Sequence, residues 1–176
     1  MYPLWINVVG FQAGWWACIL GAGGTLEIPS IAFAFALVIA HLRWTATRRA
    51  DLQLAAIGLL IGVVVDTLLQ YFSAITFYGW ALGPLSPFWL WALWVLFSLT
   101  LNASLAFLKN LHWGVPALAG CVFGPLTYHA GVQLGAASMQ TAWSTAMLCI
   151  ALAWMVVLPL MVYLAQNKFH TTRGDA

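Results

Sequence analysis

Asp66 is the residue in this chain whose type and setting point most directly to chemistry, because it interrupts the apolar run GLLIGVVVDTLLQ, residues 58–70. Gly58, Gly62, Asp66 and Gln70 recur at every fourth position, so a helix would carry two glycines, a carboxyl and an amide on one face. An ionisable group in an apolar helix is costly unless it faces protein or water, and glycines at this spacing admit a close neighbouring helix. That face points inward. At a rise of about 1.5 Å per residue, Asp66 lies about 20 Å from the charged end of its helix, and His129 comes out at nearly the same height two helices later. A carboxyl and an imidazole held together in low dielectric can pass a proton, orient a ligand or activate a hydroxyl. The plainer reading is that each finds a hydrogen-bond partner and the two only lock helices together.

The same counting places Trp16 and Trp94 within about one turn of the Asp66 level. Gln12, Ser98 and Asn102 form a second polar layer nearer the charged end, Trp94, Ser98 and Asn102 continuing an i+4 stripe. Pro125, His129 and Gln133 make another. The first, third, fourth and fifth helices are therefore expected to converge on a pocket that opens outward. Asp66, Gln70, Trp16, Trp94, Ser98, Asn102, His129 and Gln12 are its expected ligand contacts, and Asp66 with His129 the candidate catalytic pair. Asp66 and His129 supply only two metal ligands, with Glu27 distant, and no H-x-x-x-H or E-x-x-H spacing is present. No metal is expected. The chain carries no nucleotide-binding glycine pattern and no G-x-S-x-G, so no cofactor is expected either.

The elements that must position these residues follow from composition. With 64% hydrophobic and 6% charged residues in 176, the chain has too little polar surface to cover a soluble globule. Mean hydropathy is +0.93. Apolar runs of about 20 residues argue for spanning helices over a barrel, whose strands would alternate. A net charge of +2 gives no basis for nucleic-acid binding. Six spans are expected, at about 3–20, 29–44, 52–74, 88–108, 115–134 and 141–166, forming one all-α domain over 1–166 with a flexible tail over 167–176. The segment TATRRAD at 45–51 reads as a charged loop, and 75–87, dense in aromatics, Gly and Pro, as an interfacial loop. Arg43, Arg48, Arg49, Lys109, Lys168 and Arg173 all fall in loops or tail on one side of such a bundle, which puts both termini in the cytoplasm. MYPLW has no basic residue ahead of the first apolar run, so that helix is expected to be retained. Glycines at 10 and 14, 58 and 62, and 120 and 124 are expected to pack helices within one bundle. Cys18, Cys121 and Cys149 lie in apolar runs without C-x-x-C spacing and read as packing residues.

The blocks GVVVDTLL at 62–69, SPFWLWALWVLFSLTLNASLAFL at 86–108 and FGPLTYHAGVQLGAA at 123–137, with Asn7, Gln12 and Gly14, resemble a bacterial inner-membrane family catalogued as domain of unknown function 2878. The resemblance implies a multi-span bacterial membrane protein and draws attention to Asp66, to Trp91 and Trp94, and to Gly124, Pro125 and Tyr128. It adds Tyr128 to the expected ligand contacts. The six-helix plan and the Ala13 and Ala17 pair in the first helix are also loosely similar to the substrate-binding membrane subunits of energy-coupling-factor transporters. Together these readings lead to a membrane protein, residing in the bilayer, that binds a small apolar or lipid-like ligand around Asp66 as a transport component. An enzyme acting on a lipid with Asp66 and His129 as acid and base is the competing class, and a structural partner of other membrane proteins the third.

Overall fold

The computed structural model describes residues 4–167. Six α-helices follow one another: α1 (Leu4–Gly21), α2 (Glu27–Trp44), α3 (Arg48–Tyr71), α4 (Phe88–Thr100), α5 (Gly114–Gln133) and α6 (Trp143–Asn167). Of these α1, α2, α3 and α6 are long and apolar enough to cross a membrane. Large apolar side chains cover the outside of the bundle, among them Leu60 and Val64 on α3, Leu118 and Phe123 on α5, and Val156 on α6. Apart from Asn167 at the end of α6, the polar tail at 167–176 lies outside the described residues.

Helices adjacent in sequence pack on one another, α1 on α2 and α5 on α6, while α3 lies on α4. The glycine pairs sit in these seams. A Cβ on Gly120 would lie 2.1 Å from the Trp154 carbonyl oxygen, and one on Gly58 1.9 Å from the Ser98 hydroxyl, so α5 meets α6 backbone to backbone and α3 meets α4 backbone to side chain. Gly14 gives the same closeness to Leu96.

Three elements depart from the sequence expectation. The expected fourth helix stops at Thr100 and continues as turns into a short 3₁₀ helix, Ala106–Asn110. Beyond Thr100 the polar side chains turn to other helices, since Asn102 donates to Asp51 and Ser104 to Asn7, and that tertiary bonding takes the place of a regular helical ladder. The expected charged loop is also shorter, because α3 begins at Arg48. Its first turn carries Asp51, an acid at the positive end of the helix dipole. Finally, the two loops at 75–87 and 135–140 pair as strands β1 (Ile75–Phe77) and β2 (Ala137–Met139), antiparallel, with Thr76 opposite Ser138. Ile75 and Phe77 are buried beneath this two-stranded lid. A three-residue strand buried by tertiary contact has no periodicity long enough to read.

Candidate functional site

Every carboxyl among the described residues is buried: Glu27 is 1% exposed, and Asp51 and Asp66 are 0% exposed. Each is clasped by donors at a different level of the bundle. Asp66 accepts from Trp94 Nε1 at 2.7 Å and from the Tyr128 hydroxyl at 2.5 Å, so a single residue of α3 ties α4 and α5 together. Both carboxyl oxygens are engaged, which satisfies a group that would otherwise be costly at this depth.

The glycines one turn away make that clasp possible. A Cβ on Gly62 would fall 2.1 Å from the Trp94 ring, so only glycine lets the indole lie flat across α3 and reach Asp66. Gly124 does the same for Trp154 on the opposite side, where a Cβ would meet the ring at 2.5 Å. The two indoles stack on each other with centroids 5.1 Å apart and planes at 13°. Gly62, Trp94, Trp154 and Gly124 thus form a sandwich from α3 to α5. Tyr128 closes its edge at 6.3 Å from Trp154. The Trp154 N–H lies beside the Tyr128 hydroxyl but has no partner with hydrogen-bond geometry among the described residues.

In front of this layer is a cavity of about 600 Å³, inside the range typical of small-ligand sites. α1 forms one wall with Val8, Phe11, Gln12, Trp15 and Ile19, and α5 faces it with Ala119, Gly120, Phe123, Gly124, Thr127 and Tyr128. Trp89, Leu93, Trp94 and Phe97 of α4 make the back, with Trp154 of α6. The cavity reaches from the strands, at Phe77 and Ala137, to Leu105 and Leu108 beside the 3₁₀ helix. Near the strands it narrows, since a Cβ on Gly131 of α5 would come within 3.5 Å of Ile19 of α1.

Of the residues expected to meet a ligand, Gln12, Trp94 and Tyr128 line this cavity. Asp66 is behind its wall and acts through Trp94 and Tyr128. His129 is not brought to Asp66. It follows Tyr128 by about 100° around α5 and instead accepts from Trp143 Nε1 of α6 at 3.3 Å, in an exposed position. The position opposite Asp66 belongs to Tyr128, so the carboxyl–imidazole pair expected for acid–base chemistry is not assembled. Trp16 is 47% exposed and stacks edge-on against Trp15, which takes the cavity place expected for it. Ser98 donates back to the Trp94 carbonyl at 2.7 Å and packs on Gly58. Gln70 accepts from the Phe77 N–H at 3.2 Å, which anchors β1 to α3. Asn102 belongs to a separate polar cluster. α3 contributes no cavity residue, and α6 stands where α3 was expected.

That cluster surrounds Asp51, about 22 Å along α3 from Asp66. Asp51 accepts from Thr45 Oγ1 at 2.7 Å, Thr47 Oγ1 at 3.1 Å and Asn102 Nδ2 at 2.8 Å, and pairs with His41 Nε2 at 3.2 Å. Asn7 Oδ1 accepts from the Ser104 hydroxyl at 2.6 Å, which turns its amide nitrogen toward His41 Nδ1 at 3.4 Å. Lys109 donates to Asn102 Oδ1 at 2.5 Å, and Gln166 of α6 donates to the Lys109 carbonyl. At the other end Glu27 accepts from the backbone N–H groups of Trp80 at 2.7 Å and Gly23 at 3.0 Å, joining two loops. Gly79, at φ +130°, leaves room for that carboxyl. Sequence reading missed the Asp51 and Glu27 clasps. Their signal was scarcity: four acids in 176 residues makes each one a candidate.

The sequence model of the family described as "Protein of unknown function (DUF2878)" matches residues 4–160. The chain belongs to that family. The DUF2878 match covers all three acid clasps, the indole sandwich and the cavity walls, and among the described residues leaves out only the end of α6. No curated protein and no solved structure matches the chain.

Proposed function

We propose that this DUF2878 protein is a six-span protein of the bacterial inner membrane that binds a small apolar or lipid-like ligand, as a carrier or transport component. The observation that carries the reading is the cavity of about 600 Å³ between α1 and α5, almost wholly apolar and backed by aromatic residues held in place from behind by Asp66. Such a clasp keeps a cavity from collapsing, and a preformed cavity is what ligand binding needs. The exposure of Val8 and Phe123 at its rim favours entry from the bilayer side.

The topology rests on where the ends gather. Asn7 of α1, Asp51 of α3 and Gln166 of α6 meet the segment 102–109 at one end, and His41 of α2 joins them there through Asn7 and Asp51, where Arg43, Arg48 and Arg49 also lie. The positive-inside rule makes that end cytoplasmic, with both termini there. α4, about 20 Å long, crosses with the help of the turns and 3₁₀ helix that follow it.

Native mass spectrometry of the protein extracted from its own membrane tests the ligand reading. Wild type should carry an apolar molecule that an Ala119→Trp variant, with the cavity filled by an indole, has lost while keeping its fold. Wild type without any such molecule, or a variant that retains it in full, would reject the site.

A further inference from the structure

We infer that the ligand of this cavity carries a hydrogen-bonding acceptor, a ketone or similar oxygen, part-way along an apolar body, and that Gln12 and Trp15 recognise it. The inference rests on the ligand reading above and names the ligand's chemistry. Gln12 stands eight residues after Leu4, about 12 Å along a helix of about 27 Å, so its amide is near mid-depth and too far from either end to reach water. Its side chain lines the cavity and makes no hydrogen bond among the described residues. Trp15, three residues on and on the same face, likewise lines the cavity with its indole N–H unpaired among the described residues.

Of the other polar groups of the wall, the Trp154 N–H is a further buried donor without a partner among the described residues, and the rest are engaged. Trp94 and Tyr128 donate to Asp66, Trp89 to the Tyr78 carbonyl, Ser104 to Asn7, and Thr127 and Thr100 to carbonyls of their own helices. Gln12 and Trp15 together offer three N–H donors and a single acceptor, the Gln12 oxygen. An amide left unpaired in hydrocarbon is costly, and a saturated chain lying in the cavity would leave it so. A carbonyl oxygen at mid-depth satisfies it. The surplus of donors favours an acceptor on the ligand.

The test titrates detergent-purified wild type and Gln12→Leu with two probes, hexadecane and a mid-chain ketone of the same length. Binding is read from the tryptophan emission of the cavity walls and stability from thermal unfolding. Wild type should bind the ketone at least about tenfold more tightly, a difference of about 1.4 kcal/mol. Gln12→Leu should bind the two probes within about twofold and unfold at the wild-type temperature, because no protein partner is lost. Equal binding of both probes by wild type, an undiminished ketone preference in Gln12→Leu, or a large loss of thermal stability in that variant overturns the inference and leaves the cavity as a ligand site. Failure of both probes to bind wild type overturns the cavity reading and this inference with it.

Discussion

Asp66 has two neighbours and neither can be exchanged freely, because one is an indole that can only donate and the other a hydroxyl that can turn. In Asp66→Asn the remaining oxygen can keep the Trp94 N–H, and the Tyr128 hydroxyl can rotate to accept from the new amide. The expected loss is about 1 kcal/mol, near the ordinary worth of a hydrogen bond. Asp66→Leu leaves both donors buried and unpaired, at about 1–3 kcal/mol each, so its loss should be at least twice as large. Thermal unfolding of the two variants in one detergent reads the difference. Equal stability would show that Asp66 does not hold the wall. Tyr128→Phe removes only one donor from a carboxyl that keeps the other, and should fall between wild type and Asp66→Leu.

The glycine and tryptophan sandwich is a property of paired elements, not of any one residue. Gly62→Ala would place a methyl 2.1 Å from a ring fixed on its far side by Trp154 and at its edge by Asp66. A ring that cannot yield transmits the strain to the α3–α4 seam, and overpacking of this kind costs about 1–3 kcal/mol. Near-ultraviolet circular dichroism should lose the coupled indole signal in Gly62→Ala, together with a lower unfolding temperature. An unchanged spectrum would mean that α3 and α4 separate easily, contrary to the seam described here. The break after Thr100 belongs to the same scale. Asn102 and Ser104 are placed by what they bond on α3 and α1, so the apolar run through Leu108 does not continue as a helix.

At the scale of the whole molecule, the clasps at Glu27 and Asp51 fix opposite ends of the bundle, and the cavity runs between them. In the proposed topology, their separation sets the direction in which the chain crosses a bilayer. In a background with Cys18, Cys121 and Cys149 replaced, Ala46→Cys should react with an impermeant thiol reagent only from the cytoplasmic face, and Leu82→Cys only from the opposite face. Labelling of both from the same face would overturn the proposed six-span topology.

Helical class, the approximate position of most helices and the inward face of Gly58, Gly62 and Asp66 are all legible in the sequence. They follow from periodicity and from the cost of a carboxyl in apolar surroundings, both of which act locally. What Asp66 touches is not local. Tyr128 and His129 are adjacent in sequence, and the rotation of α5 about its axis decides which one meets the acid. That rotation is set by how Gly120 and Gly124 seat against Trp154. The same holds for Trp15 and Trp16, of which only the first turns into the cavity. The acid's burial was written in the chain, and the packing of α5 and α6 decided that it would stand behind a cavity wall, not within the cavity.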